Sequence, residues 1–191
     1  MKQARILSKS ETKRVLAVID ANKHSERNRA VFYLSFLAGL RACEIASLRM
    51  RDVVDDNGKI KSQIVLEATM TKGNERQRVM LSKALQKELQ RYTDALSASQ
   101  SMDSPFIRSQ KGGAFSALTI VQLFARFYEK AGIKGASSHS GRRQFITTLA
   151  ESQVNVRVIQ ALARHRHLNT TMRYIDINDV KLAKAVELVS L

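Results

Sequence analysis

Apolar side chains recur at helical spacing along most of this chain. The segment from residue 9 to about residue 21 has its apolar residues on one side, and Ser8 or Ser10 can cap it. A second helix is predicted to begin at Ser25, to be buried on most faces, and to end near Gly39. The same period predicts further helices over roughly 41–50, 82–92, 116–131, 140–151, 155–163, 168–175 and 178–190.

One region departs from the helical period. The sequence VVDDNGKIKSQIVL (53–66) has the pair Asn57-Gly58 between β-prone runs, which is a strong hairpin signal. A third strand, RQRVML (76–81), is expected to pair after the intervening loop. We therefore expect one domain over residues 1–191, of the α+β class and mainly α-helical, with a small three-stranded antiparallel sheet.

A polar stretch at 97–116 holds the only proline of the chain and a Gly-Gly pair. Its composition is that of a linker. Phe106 and Ile107, in its middle, indicate instead that it is attached to the core.

The balance of charge points to a polyanionic partner. The 32 Lys and Arg residues against 17 Asp and Glu residues give a formal net charge of +15. A charge this large repels itself in the compact state and is typical of nucleic-acid binding, or secondarily of binding to an anionic membrane. The longest apolar run, at 30–40, is much shorter than the roughly 20 residues that span a bilayer, which disfavours the membrane.

Two further features concern the compartment. The N-terminal residues lack the apolar core of a signal peptide. Cys43 is the only cysteine, so no disulfide can form within the chain. Both features fit the cytoplasm of a bacterium or archaeon, and neither excludes a nucleus. With a nucleic-acid partner, we expect the protein to be on the nucleoid while it acts.

The sequence GLRACEIASLRMRDV (39–53) contains the first candidate for chemistry. Arg41 and Glu44 are three residues apart and share a face of a helix. Ile45 and Leu48 would turn that face inward, where Glu44 can orient the guanidinium and leave part of its fork free. The competing interpretation is a structural ion pair on the surface.

The sequence SSHSGRRQFITTLAES (137–152) contains the second. His139 and Arg142 lie in the first turns of a predicted helix. Cations at a helix N-terminus are unfavourable unless an anion completes the site, so this placement favours a phosphate pocket. Alone, His139 is more typical of a hydrogen-bonded structural histidine. Lys72, in the loop of the predicted sheet, is either a solvated charge or a group that reaches a leaving oxygen.

The sequence ARHRHLNTTMRYID (163–176) is the third candidate. His165 and Tyr174 stand nine residues apart with Thr170 and Thr171 between them, in a strongly basic setting. A solvated charged loop is one interpretation. A zinc site built from the histidines is another, but Cys43 gives it no support, and an H-x-H spacing points two side chains in different directions on a helix.

Taken in order, these segments resemble the active site of the tyrosine recombinases, the phage integrase family. The resemblance covers essentially residues 8 to 190 and includes both arginine boxes, the hairpin lysine and the last box. Two positions depart from the family pattern. Arg143 stands where the family often has a second histidine, and Arg164 stands where a glycine usually precedes the histidine.

The resemblance implies a mechanism. A tyrosine hydroxyl ordinarily titrates near pH ~10 and becomes a nucleophile in a cationic pocket. Tyr174 would attack a DNA phosphate to give a 3′-phosphotyrosyl link and a free 5′-hydroxyl, with no cofactor or metal. The resemblance also implies roles for the other residues. Arg41 and Arg142 would clamp the phosphate, His165 would donate to the same oxygens, and Glu44 would orient an arginine. His139 would assist removal of the proton from the tyrosine, and Lys72 would protonate the leaving oxygen.

The expected partner is double-stranded DNA, with self-association into a tetrameric synapse. The last predicted helix, 178–190, is apolar except for a narrow polar stripe, so it packs on its own domain or, as the resemblance implies, is donated to a neighbouring protomer. Relatives commonly carry a separate N-terminal helical domain, so we expect either a small single-domain form or a fragment. Two other functions compete: a DNA-binding regulator that does not cut, and a type IB topoisomerase.

Overall fold

The computed structural model describes residues 4–71, 73–96, 100–175, 179–187 and 189. These residues are mainly helical, with a small antiparallel sheet, so the predicted fold class is confirmed. The elements are α1 (Lys9–Asp20), α2 (Ser25–Ala38), α3 (Ala42–Ser47), α4 (Met50–Val53), β1 (Gln63–Leu66), a 3-10 turn (Ala68–Met70), β2 (Gln77–Met80), α5 (Lys83–Asp94), α6 (Ala117–Lys130), α7 (Ser140–Glu151), α8 (Val156–Ala163), α9 (Leu168–Met172) and α10 (Asp179–Val186).

The chain divides into two compact units. The first ends at Phe145 and the second begins at Ile146, within α7. The prediction of a single domain stays a prediction, and so does the exchange of the C-terminal helix. None of the helices in the described part of the chain is long and apolar enough to cross a membrane.

The first unit is built around α2. This helix is buried on most faces, as predicted, and Phe32 and Leu34 are almost fully enclosed. It ends at Gly39, whose φ of 61° is the left-handed conformation that glycine adopts without strain. Helix α1 begins as predicted, because the Ser8 hydroxyl accepts from the backbone N–H of Glu11 while the Glu11 carboxylate accepts from that of Ser8.

The sheet has two strands in the described residues rather than the predicted three. Strands β1 and β2 pair antiparallel, from Gln63 opposite Met80 to Leu66 opposite Gln77. The predicted first strand is reduced to a single bridge, Val54 opposite Ile60. Two effects shorten it.

Helix α4 takes up the residues that would precede Val54, because the Asp52 carboxylate accepts from the backbone N–H of Arg49 and starts that helix. Asp55 then accepts from the backbone N–H groups of Asn57 and Lys59, and closes a tight turn where the hairpin was expected. The predicted helix at 41–50 is likewise divided, between α3 and α4.

The polar stretch before α6 is attached to the core rather than being a linker. Phe106 and Ile107 are buried, at 0% and 1% exposure. The Phe106 N–H donates to the carbonyl oxygen of Leu48, and its own carbonyl accepts from the hydroxyl of Tyr92. Burial of Phe106 and Ile107 and the hydrogen bonds of the Phe106 backbone therefore hold this part of the stretch against the core, despite its linker-like composition.

The second unit contains α8 and α9, which pack against each other. Ile159 and Ala163 of α8 are buried. Arg164 ends this helix in the left-handed conformation, with φ of 55°. The chain then turns back, and the N–H of His165 donates to the carbonyl oxygen of Gln160 at 3.1 Å.

Candidate active site

A buried carboxylate holds the first arginine. Arg41 lies directly before α3, where one Glu44 oxygen accepts from the backbone N–H of Arg41 at 2.9 Å and the other accepts from its Nη1 at 2.6 Å. The Glu44 side chain is 0% exposed and that of Arg41 is 26% exposed. The ion pair of the competing interpretation is present, but it does not lie on the surface, because the carboxylate is enclosed.

The geometry leaves Arg41 able to bind an anion. Within the part of the chain that the structure describes, its Nε and Nη2 atoms make no hydrogen bond. A guanidinium carries five N–H donors in a fixed fork, so orientation by Glu44 leaves donors that match two phosphate oxygens.

The second arginine, Arg142, is hydrogen-bonded to Gly39, at the start of the segment that contains Arg41. Arg142 is 8% exposed, and its Nη1 donates to the carbonyl oxygen of Gly39 at 2.7 Å. His139, one residue before α7, is exposed, and its backbone N–H donates to the Ser137 hydroxyl. Arg41, Glu44, His139 and Arg142 all belong to the first unit.

Gly141 permits the close approach of α7 to α2. A Cβ at this position would lie 2.3 Å from the Ser35 hydroxyl oxygen and 2.6 Å from a ring carbon of Phe36. Atoms cannot pack at such distances, so only glycine fits. Gly141 lies between His139 and Arg142 in sequence and sets how closely α7 packs against α2.

Lys72 lies outside the described residues, so its predicted role stays a prediction. The loop around it is closed by Thr71, whose hydroxyl donates to the carbonyl oxygen of Glu75 and accepts from the Glu75 N–H. Asn74 adopts a positive φ of 51° in the same loop.

His165 and Tyr174 lie together in the second unit. Their rings stack at 6.1 Å between centroids, with an interplanar angle of 27°. His165 Nδ1 is 2.9 Å from the hydroxyl of Thr171, and the Tyr174 N–H donates to the Thr171 carbonyl oxygen at 3.0 Å. The interpretation of this segment as a solvated loop is wrong, because α9 organises it.

Among the four tyrosines of the chain, Tyr174 differs from the others in having an imidazole ring beside it. Burial raises the pKa of Tyr92 and of Tyr128, which are 3% and 2% exposed. Burial likewise raises the pKa of Tyr33. Burial disfavours ionisation of these three hydroxyls, and two of them are also out of reach of any substrate. Tyr174 is partly exposed and has an imidazole beside it.

The described residues contain no group of three or more His, Cys, Asp or Glu side chains placed to hold a metal ion. The imidazole nitrogen Nδ1 of His165 is engaged with Thr171.

Comparison with known proteins gives the family. The profile of the phage integrase family matches residues 5–181. The chain belongs to the phage integrase family. Within it, tyrosine recombinase XerA of Thermococcus kodakarensis is 31% identical over 185 residues, which are 95% of this chain and 61% of that protein. The chain thus spans about three fifths of the length of such curated relatives.

Two solved structures share the fold. The crystal structure of XerA recombinase matches with a TM-score of 0.74 and 25% identity, over 98% of this chain and 66% of that one. The Tn1549 transposon integrase, solved in complex with circular intermediate DNA, matches with a TM-score of 0.75 and 19% identity, over 99% of this chain and 68% of that one. At that identity the second likeness concerns the fold alone.

The two departures from the family pattern have structural counterparts. Arg164, at the family's glycine position, occupies a left-handed conformation that glycine adopts more readily. Arg143, at the position of the second histidine, donates from Nη1 to the carbonyl oxygen of Ala4 at 2.5 Å and ties the N-terminal segment to α7.

Two residues near the candidate chemistry were not identified from the sequence. The need for glycine at position 141 cannot be inferred from the sequence, because it depends on which helix packs against that position. Thr171 is one of a pair in the sequence, where nothing distinguishes it from Thr170. Burial does: Thr171 is 0% exposed and Thr170 is exposed.

Proposed function

We propose that this chain is the catalytic domain, over residues 1–191, of a site-specific DNA recombinase that cuts and rejoins DNA through a 3′-phosphotyrosyl intermediate. The observation that carries the proposal is the pairing of His165 with the partly exposed Tyr174. Membership of the phage integrase family and the charge of +15 support it further.

In the proposed reaction, the Tyr174 oxygen forms a bond to the phosphorus of a DNA phosphodiester, and the bond from phosphorus to the 5′ oxygen breaks. The tyrosine proton passes to His139, and Lys72 gives a proton to the departing 5′ oxygen. A second 5′-hydroxyl reverses the step on another strand. The charge that develops on the non-bridging oxygens would be stabilised by donors from Arg41, Arg142 and His165, with Glu44 orienting Arg41.

The proposed partner is double-stranded DNA, and the proposed assembly is a tetrameric synapse in the cytoplasm of a bacterium or archaeon. The Tn1549 integrase, which shares the fold, was solved in complex with circular intermediate DNA. Exposed apolar residues of α10, Leu182 and Val186, are suited to exchange between protomers. The chemistry as proposed uses no metal and no nucleotide.

A covalent-capture experiment with randomised DNA tests the function, because it requires no chosen target sequence. The protein is incubated with a pool of nicked duplexes of randomised sequence, and adducts that resist denaturation are separated on gels and their DNA sequenced. The nick lets the cleaved fragment leave, so the phosphotyrosyl link accumulates. We expect adducts with the wild type, none with Tyr174→Phe, and wild-type levels with the control Tyr33→Phe.

Three outcomes would contradict the proposal. Adducts that persist in Tyr174→Phe would remove the assigned nucleophile. DNA binding without any adduct would favour the non-cutting regulator. Relaxation of a supercoiled plasmid without joining of strands from two duplexes would favour a topoisomerase.

A further inference from the structure

The threonine pair between His165 and Tyr174 has no role in the reaction described so far. Its two members differ in environment, since Thr171 is 0% exposed and Thr170 is exposed. The buried hydroxyl lies 2.9 Å from Nδ1 of His165. This is a hydrogen-bond distance between a single hydroxyl and one specific nitrogen of the imidazole.

The direction of this hydrogen bond follows from the partners available. A hydroxyl has one hydrogen to donate, and a neutral imidazole has one nitrogen that accepts and one that donates. In the part of the chain that the structure describes, the Thr171 hydroxyl has no second acceptor, so its hydrogen points to Nδ1. The proton of the neutral ring is then on Nε2.

Thr171 also contacts the nucleophile's backbone. Its carbonyl oxygen accepts from the N–H of Tyr174 at 3.0 Å, while its side chain contacts His165. Gln160 holds the backbone of His165 through two hydrogen bonds, both of 3.1 Å. The side-chain Nε2 of Gln160 donates to the His165 carbonyl oxygen, and the backbone carbonyl oxygen of Gln160 accepts from the His165 N–H. One buried residue therefore links the two groups that stand nine positions apart.

Rigidity makes this arrangement suitable for positioning. Threonine is branched at Cβ, so its side chain has few rotamers within a helix. Burial of Thr171 in α9 restricts it further. The hydroxyl is thus presented to Nδ1 at a fixed place, with little entropy to lose.

We propose that Thr171 is a positioning residue that holds His165 as the tautomer protonated on Nε2, so that this nitrogen donates to a non-bridging oxygen of the scissile phosphate. The inference rests on the function proposed above and deepens it. Thr171 does not touch DNA; it acts through His165. Without the Thr171 hydroxyl, a fraction of the molecules would carry the ring proton on Nδ1 of His165 instead. In those molecules Nε2 has no hydrogen to donate to the phosphate.

The tautomer can be measured without DNA and without activity. In protein labelled with ¹⁵N-histidine, the ring nitrogens of neutral His165 are expected to show an unprotonated Nδ1 and a protonated Nε2. Thr171→Val, which removes the hydroxyl and keeps the branched shape, is expected to give a mixture of tautomers. Thr171→Ser keeps the hydroxyl and should retain the wild-type pattern. Thr170→Val, the matched control on the exposed neighbour, should also retain it.

The same variants are then compared in single-turnover cleavage of a nicked duplex recovered by covalent capture. For metal-binding histidines, the partner of the other ring nitrogen typically contributes about 10- to 100-fold to affinity or activity. By analogy, we expect Thr171→Val to cleave more slowly by about that factor. Its DNA affinity, measured by filter binding, should stay within about twofold, because no DNA contact is removed. Thr171→Ser and Thr170→Val should cleave at rates close to the wild type.

Several results would overturn the inference. A proton on Nδ1 of neutral His165 in the wild type contradicts it directly, and this measurement does not depend on any variant folding. Equal slowing by Thr171→Ser and Thr171→Val would assign the effect to shape rather than to the hydroxyl. Failure of the proposed function looks different, because the wild type would then form no adduct whatever the tautomer of His165.

Discussion

Arg142 and Gly39 are joined by a hydrogen bond of 2.7 Å between the guanidinium Nη1 and a backbone carbonyl oxygen. That carbonyl lies at the C-terminal end of α2, where the last carbonyls have no partner inside the helix and carry partial negative charge. A buried cation is favourable at such a place. A carbonyl oxygen at the end of α2 therefore holds Arg142 beside the turn that leads into Arg41.

Replacement of Arg142 by lysine tests this arrangement. A lysine has one ammonium group and cannot donate to the Gly39 carbonyl and clamp two phosphate oxygens with the same fixed fork. We expect Arg142→Lys to lower the single-turnover cleavage rate by about 10²–10³-fold, with a much smaller loss of DNA affinity. Arg14→Lys, at an exposed site of α1, is the control and should cleave normally. A wild-type rate for Arg142→Lys would exclude the proposed clamp.

Gly141→Ala is expected to destabilise the protein. The added methyl group would stand 2.3 Å from the Ser35 hydroxyl oxygen, so α7 must move away from α2. Overpacking of this kind costs about 1–3 kcal/mol, which urea unfolding would detect. Gly113→Ala is the matched control, because its nearest neighbour is 3.9 Å away and its φ is not in the left-handed range. Equal stability of the two variants would mean that the helices separate freely at this crossing.

A pair of variants at Arg164 isolates the cost of its backbone conformation. Arg164→Ala and Arg164→Gly both remove the side chain and its bond to the Leu162 carbonyl oxygen, so they differ mainly in how readily residue 164 adopts a φ of 55°. Glycine should be more stable than alanine by about 1 kcal/mol, measured as the difference in free energy of unfolding. If the Arg164→Ala and Arg164→Gly variants are equally stable, residue 164 does not keep the left-handed conformation once the arginine side chain is removed.

Local signals in the sequence account for several of the helix ends in the described residues. Ser8, Ser82 and Ser116 each cap a helix through a side-chain bond, and Gly39 ends α2. Such signals act over three or four residues and can be identified in one sequence. The predicted first strand is reduced to a single bridge because Asp52 and Asp55 bond to nearby backbone groups and compete with strand pairing.

The candidate residues were found through the order of the motifs rather than through their geometry. That order indicates which groups matter, but not what holds them. The Arg142–Gly39 bond spans 103 positions, and no local pattern predicts it. The different burial of Thr170 and Thr171 likewise depends on how α9 packs, so the sequence presents two equivalent threonines.

The bonds that join Gln160, His165, Thr171 and Tyr174 all form within one short continuous segment of the second unit. A segment of this kind can be exchanged as one block between homologous proteins, since the imidazole, the hydroxyl that faces it and the phenol would be transferred together. Chimaeras of such proteins should therefore place their junctions before Gln160 and after Tyr174. A junction inside the block would separate a histidine from the threonine that accompanies it.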